Sequence, residues 1–114
     1  MKLVALTAIV AALAISTTAS GATPTLVGVD GPGFTITLTK GGKKVTKLTH
    51  GTYVFKISDK SGIHNFHLTG PGVNKKTGVK TKGSAVWTVT LRAGTYTYRS
   101  DATKKLRRTF KVTK

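Results

Sequence analysis

Apolar and polar side chains alternate along most of the chain after residue 22. Residues two apart in a β-strand lie on the same face of a sheet, so this alternation predicts strands with one buried face. Threonine, valine, tyrosine and phenylalanine dominate these stretches, a composition typical of strands. The clearest predicted strands lie within residues 34–39, 53–58, 87–91, 96–98 and 110–112.

Turn-forming residues separate the alternating stretches at short intervals. Glycine, often beside proline, serine or a second glycine, occurs at residues 31–33, 41–42, 51, 61–62, 70–72, 83–84 and 94. Such pairs mark tight turns. No stretch after residue 22 has a helical period, so the pattern predicts an all-β sandwich or barrel.

One short pattern occurs twice. Residues 51–56 read G-T-Y-V-F-K and residues 94–99 read G-T-Y-T-Y-R, and an aspartate follows each segment closely. Two copies are too few for a repeat architecture. They predict two structurally equivalent strands, each starting at a glycine turn and leading into a loop with functional residues.

The first 22 residues differ from the rest of the chain. Lys2 precedes an apolar run over residues 3–15, and small or polar residues follow over 16–22. A charged start, an apolar centre and a small-residue exit predict a secretory signal peptide over residues 1–22, cleaved between 19 and 22. A buried helix is the alternative, but no cap or polar face supports it. The run is too short to span a bilayer, and no second one follows.

Residues 23–114 are predicted to form a single domain. Because a signal peptide precedes it, we expect this domain to be secreted or to reside in the periplasm or cell envelope. The chain contains no cysteine. Small secreted domains often depend on disulfides, so this one must be held together by its core. The lack of cysteine also excludes a thiolate metal site.

The chain is strongly basic. It carries 19 lysines and arginines against three acids, Asp30, Asp59 and Asp101, for a formal charge of +16. Such a surface attracts polyanions, and the expected partner is an anionic envelope polymer or an acidic protein. The basic residues are spread over the whole domain, so a merely solvated basic face is the alternative.

Two segments resemble the metal-bearing segments of cupredoxins, the blue-copper proteins related to plastocyanin. The first reads H-N-F-H-L-T-G-P-G-V over residues 64–73, and the second reads G-T-Y-T-Y-R-S-D over 94–101. The resemblance runs from about residue 25 to 114 and includes G-F-T-I at 33–36 and W-T-V-T-L at 87–91. It implies an antiparallel Greek-key β-sandwich of seven or eight strands.

The resemblance also implies a degenerate copper site. In cupredoxins the first histidine of the H-N-F segment is a copper ligand, and the loop after the G-T-Y strand supplies cysteine, histidine and methionine. Here the last three positions are Ser100, Thr103 and Leu106. Blue copper needs two imidazoles, a thiolate and a weak axial ligand, so only His64 remains as a candidate metal ligand. No cofactor is expected; the alternative is weak copper binding through His64 with ligands from a partner chain.

The other histidines offer His64 little help. His67 lies three residues further on, and on a strand these side chains would point to opposite faces. His50 precedes a glycine turn with no predicted link to His64. In the simpler interpretation, His64 and Asn65 pack and hydrogen-bond between two loops, and His67 is a half-buried strand residue.

Catalysis and nucleic-acid binding are both disfavoured. Ser100, Asp101 and His64 supply parts of a nucleophile–base pair, but no nucleophile elbow or third orienting group accompanies them. We therefore expect no enzyme. Aromatic residues on basic strands could imitate a base-stacking platform, but the alternation directs them inward and the export signal removes the chain from most nucleic acid. The predicted core consists of Phe34, Ile36, Phe55, Ile57, Phe66, Trp87, Val89, Leu91, Tyr96, Tyr98, Phe110 and Val112.

Overall fold

A computed structural model describes residues 22–114. The predicted signal peptide therefore lies almost entirely outside the described residues. Residues 22–114 form ten strands and no helix, and thus include no helix that could cross a membrane. The strands are β1 Thr25–Asp30, β2 Ile36–Lys40, β3 Lys43–Lys44, β4 Lys47–Thr49, β5 Gly51–Asp59, β6 His67–Gly70, β7 Val73–Lys76, β8 Gly83–Leu91, β9 Gly94–Ser100 and β10 Thr103–Thr113.

The strands form two five-stranded sheets. The first sheet has the order β3-β2-β1-β5-β8, and the second has the order β4-β10-β9-β6-β7. The chain passes from the first sheet to the second between β3 and β4, returns for β5, and leaves again after it. The predicted all-β sandwich is confirmed.

Two details of the predicted sandwich are different in the structure. Pairing is mixed, because β1 runs parallel to β5 and β4 runs parallel to β10, whereas antiparallel pairing was expected throughout. The strands number ten within the described residues rather than seven or eight. The additional strands include β3 and β4, which are two and three residues long. Strands of two or three residues are too short to show an alternation of apolar and polar residues in the sequence.

The core lies between the sheets and contains most of the predicted residues. Phe55, Phe66, Tyr96 and Tyr98 have no exposed surface. Aromatic rings stack within it, with centroids 5.4 Å apart for Tyr96 and Phe110. Leucines that the alternation analysis did not single out complete the core, namely Leu26, Leu48, Leu68 and Leu106, together with Leu38 from the first predicted strand.

Two aromatic residues of the predicted core are less buried than expected. Phe34 is 57% exposed, so its assignment to the core was wrong. It belongs to a turn closed by a hydrogen bond from the Gly31 amide to the Thr35 carbonyl, and β2 begins only at Ile36. Trp87 is half-buried on the edge strand β8, where it packs against the core.

Candidate functional site

The two segments that resemble copper-binding segments meet at one end of the sandwich. Strand β6 pairs with β9, and His67 is opposite Arg99. The loop before β6 therefore lies beside the turn after β9. His64 Nδ1 and Ser100 Oγ are 3.0 Å apart, and both residues are buried. These two positions of the family's ligand set are therefore in contact.

Side-chain hydrogen bonds fix the loop that carries His64. Asp59 Oδ1 accepts a bond from the Ser61 amide at 3.1 Å. Ser61 Oγ in turn accepts bonds from the amides of Ile63 and His64, each at 3.1 Å. Such local bonds replace strand pairing for the backbone. His64 consequently lies in a structured loop rather than on a strand, so the opposite-face argument for His64 and His67 does not apply.

Asn65 joins this loop to the turn after β9. Its amide nitrogen donates to the Thr77 carbonyl at 3.0 Å and to Asp101 Oδ2 at 2.9 Å. Its side-chain oxygen accepts a bond from the Asp101 amide at 2.7 Å. The side chain is fully buried, so all three bonds replace water. Asn65 therefore has the loop-joining role predicted for it.

His67 is held by partners different from those of His64. Its Nδ1 lies 2.7 Å from Asp101 Oδ1, and its Nε2 lies 2.6 Å from Asn74 Oδ1. Each ring nitrogen therefore lies within hydrogen-bonding distance of a side-chain oxygen. His67 is 8% exposed and so more deeply buried than expected. With both ring nitrogens engaged, it has no free nitrogen for a metal.

Phe34 covers the imidazole of His64. The two rings meet edge to face, with centroids 5.3 Å apart and planes at 84°. Ile63, beside His64 in the chain, is 67% exposed. The exposed apolar surface at this end comes from a turn and a loop, which alternation analysis does not detect.

Thr103 and Leu106 no longer offer metal-binding groups at the other two positions. Thr103 pairs with Ser100 at the start of β10. Its Oγ1 accepts a bond from the Lys105 amide at 3.3 Å. Leu106 lies in the hydrophobic core. One imidazole, two hydroxyls and a hydrocarbon side chain do not fit blue copper.

A buried carboxyl pair lies where β1 and β5 end. Asp30 and Asp59 are direct partners in the parallel ladder, and both are buried. Neither carboxyl oxygen of Asp30 has a donor partner within residues 22–114. Asp59 Oδ2, by contrast, accepts a bond from the Thr77 hydroxyl at 3.1 Å. Burial, followed by the effect of the neighbouring Asp59 carboxyl, raises the pKa of Asp30 to about 8. A neutral Asp30 carboxyl at neutral pH agrees with its burial without a donor.

Asp101 has the opposite electrostatic environment. Partial burial by itself would raise its pKa, but hydrogen bonds from His67 and Asn65 and the charges of His67 and Arg99 lower the pKa overall. Arg99 Nε lies 3.5 Å from Asp101 Oδ1. All three acids of the chain are therefore engaged in internal contacts.

No cluster of three or more histidine, cysteine or acidic side chains within residues 22–114 is arranged to hold a metal. The His64–Ser100 contact is the part of the expected site that the fold assembles. The Asp30–Asp59 pair was not predicted from the sequence, where both acids entered only as parts of the charge count. Asp30 is the last residue of β1 and Asp59 is the last residue of β5. This shared position was the feature that could have revealed the pair.

The fold is similar to solved structures of rusticyanin. Reduced rusticyanin superimposes with a TM-score of 0.59 at 22% identity, covering 83% of this chain and 82% of that one. Rusticyanin from Thiobacillus ferrooxidans gives 0.56 at 23% identity, covering 82% and 79%. A methionine-to-leucine variant of rusticyanin gives 0.59 at 23% identity, covering 83% and 79%. No family model and no curated protein matches the chain. The expected cupredoxin fold is thereby confirmed.

Proposed function

We propose that this chain is an exported, non-catalytic cupredoxin-fold domain whose basic surface binds an anionic envelope polymer or an acidic protein. The proposal rests on where the charged side chains lie, because the basic residues are exposed and the acids are held in internal contacts. Apart from Lys2, 18 lysines and arginines remain, and all are exposed except the half-buried Arg99. Asp30 and Asp59 are buried, and Asp101, although exposed, is paired with His67 and Arg99, so few negative charges offset the positive surface.

Burial of the aromatic residues argues against a nucleic-acid platform. Tyr53, Phe55, Tyr96 and Tyr98 are at most 6% exposed. Base stacking needs accessible rings. Long-range attraction to polyanions therefore depends on the lysines and arginines alone.

Salt dependence tests the proposal directly. The purified protein is passed over immobilised polyphosphate and immobilised polyglutamate, with neutral dextran as control, from about 50 mM to about 500 mM NaCl. The screening length falls from about 14 Å to about 4 Å across this range. We therefore expect retention on both polyanions at low salt, a steep loss of retention at high salt, and no retention on dextran at any salt concentration. Lack of retention at low salt would refute the proposal.

The second candidate function is a metal contact through His64, the one position of the family's ligand set that has an imidazole in this chain. This candidate would be supported by retention or partner binding that does not change with salt concentration but is abolished by His64→Ala or by a chelator. Under the main proposal, His64→Ala leaves polyanion binding unchanged, because His64 is buried and contributes nothing to the exposed charge.

Copper addition tests the assignment of the family's ligand positions. We expect the protein to stay colourless with Cu(II), because it lacks the thiolate responsible for intense blue absorption. The triple variant Ser100→Cys, Thr103→His, Leu106→Met restores the family's ligand set, and we expect it to turn blue. The matched control, Thr103→His with Leu106→Met, lacks the thiolate and should remain colourless. A folded but colourless triple variant would show that Thr103 and Leu106 do not occupy the ligand positions.

A further inference from the structure

A basic depression lies beside the His64–Ser100 contact. It has a volume of about 530 Å³ and is lined by Arg99, Ser100, Asp101, Thr103, Lys104 and Arg107. It forms where β10 loses its register with β9. Thr103 pairs with Ser100, but the next pair is Arg107 with Arg99, so residues 104–106 have no partners on β9. This bulge exposes Lys104 and turns Leu106 into the core.

The bulge brings like charges together. Arg99 and Arg107 are direct cross-strand partners, an arrangement that destabilises a sheet when no counter-charge is present. Lys104 adds a third positive charge to the same depression. Arg99 is also the one lysine or arginine of the described range that is half-buried. Its side chain is 42% exposed, so it remains accessible to a ligand.

Asp101 neutralises this charge only in part. Its Oδ1 lies 3.5 Å from Arg99 Nε, but the same oxygen lies 2.7 Å from His67 Nδ1, and its Oδ2 accepts a bond from Asn65. Arg107 and Lys104 have no ion pair within residues 22–114. A net positive charge therefore remains in the depression.

The chemistry of the lining selects a phosphate group. Guanidinium groups present paired donors that match phosphate oxygens, and two of them lie here on adjacent strands. Thr103 Oγ1 already accepts a bond from the Lys105 amide, so its hydroxyl proton is available to an anion. Successive phosphates of a polymer bring several negative charges to the depression and so offset the repulsion between Arg99 and Arg107 more completely than a single carboxylate does.

We propose that the depression between Arg99, Lys104 and Arg107 is a phosphate-binding site through which the domain holds phosphate-bearing polymers. This inference rests on the proposed function, for which it names the ligand chemistry and the point of contact. Ser100 does not contact the ligand, because its hydroxyl is buried against His64 and the Ala102 amide.

The test compares two variants that lose the same charge. Arg99→Gln with Arg107→Gln removes two charges from the depression, and Lys43→Gln with Lys44→Gln removes two from the exposed strand β3 of the other sheet. Inorganic phosphate is titrated into each protein while amide resonances are followed by NMR, and binding to polyphosphate is measured at about 150 mM NaCl. We expect phosphate to shift the amides of residues 99–107 in the wild type and in the β3 variant but not in the arginine variant.

Polymer binding should distinguish a site from diffuse charge. We expect about a tenfold loss of polyphosphate affinity for the arginine variant, because charge-assisted bidentate bonds are lost, and about a twofold loss for the β3 variant. A variant with Arg99→Lys and Arg107→Lys keeps the charge without the paired donors, and should recover only part of the affinity. Circular dichroism of each variant establishes that it is folded, and the lysine variant provides the comparison if the glutamine variant is not.

Each outcome leads to a distinct conclusion. Equal losses for the arginine and β3 variants would overturn the phosphate site while leaving the proposed function in place. Failure of the wild type to bind any polyanion would overturn both. Shifts with inorganic phosphate but no advantage for polyphosphate would support the site and identify its ligand as a small phosphate compound rather than a polymer.

Discussion

Strands β5 and β9 start from nearly the same sequence and have different roles. Both begin at a glycine with positive φ, 146° at Gly51 and 149° at Gly94. In both, the tyrosine hydroxyl donates to the carbonyl four residues earlier, at 2.7 Å from Tyr53 and 2.8 Å from Tyr96. The predicted equivalence of the two strands is confirmed at this level.

The strands differ in what surrounds them. Tyr53 is 6% exposed, whereas Tyr96 is fully buried and stacks on Phe110. At its far end β5 presents Asp59 to a second carboxyl, Asp30. The turn after β9 instead presents Asp101 to His67 and Arg99. Similar local sequences thus lead to acids with different partners, because the neighbouring strand decides which charge lies nearest.

Crowding around Tyr96 provides the largest expected effect. A Cβ atom added at Gly70 would overlap the Tyr96 ring, whereas one added at Gly62 meets nothing within 4 Å. Because the ring is held in a packed core, we expect Gly70→Ala to lower the free energy of unfolding by about 3 kcal/mol. Denaturant unfolding measures it, with Gly62→Ala as the control. A Gly70→Ala variant as stable as that control would show that the packing around Tyr96 is looser than around Tyr53.

The acids give the next largest effect, through the pH dependence of stability. With its pKa raised to about 8, Asp30 keeps its proton in the folded state up to a higher pH than in the unfolded state. Its contribution to the free energy of unfolding is fully present below about pH 4 and declines as pH rises to about 8. Asp30→Asn should therefore be much more stable than wild type at pH 9 and similar at pH 4.

Asp101 should behave in the opposite way. The pKa of Asp101 is lower in the folded state than in the unfolded state. Its carboxylate therefore stabilises the fold above the ordinary pKa of aspartate, and this stabilisation is lost as pH falls through the lowered value. We expect Asp101→Asn to be less stable than wild type at pH 7 and to approach it in acid. Thermal unfolding of both variants from pH 3 to pH 9 measures this. Parallel pH profiles for the two variants would contradict the opposite environments assigned to the acids.

The two tyrosines give the smallest effect. Tyr96 Oη donates to the Arg92 carbonyl and also accepts a bond from the Arg92 amide at 3.0 Å. Tyr53 Oη makes one bond, to the Thr49 carbonyl. Since each lost bond costs about 1 kcal/mol and an unpaired amide costs more, we expect Tyr96→Phe to lose about 2 kcal/mol and Tyr53→Phe about 1 kcal/mol. Equal losses in denaturant unfolding would show that the second bond of Tyr96 contributes nothing to stability.

Alternation predicted the core strands well because it reports a local property of the chain. Ile36, Phe55, Ile57 and Val89 are buried as expected. The same reasoning failed at Phe34, where the alternation continues into a turn and the side chain covers His64 instead. Periodicity does not show where a strand begins.

Those features of the candidate site that depend only on which residue occupies each position could be predicted from the sequence. The lack of cysteine, with Ser100, Thr103 and Leu106 at the family's ligand positions, excludes a blue-copper thiolate site from the sequence alone. Other features depended on strand register: the parallel pairing that joins Asp30 to Asp59, and the bulge that brings Arg99 opposite Arg107. These residues are eight or more positions apart in the chain, and the local pattern carries no record of such pairs. Backbone hydrogen bonding and core packing between distant strands set the register, so only the tertiary structure decided which charges meet.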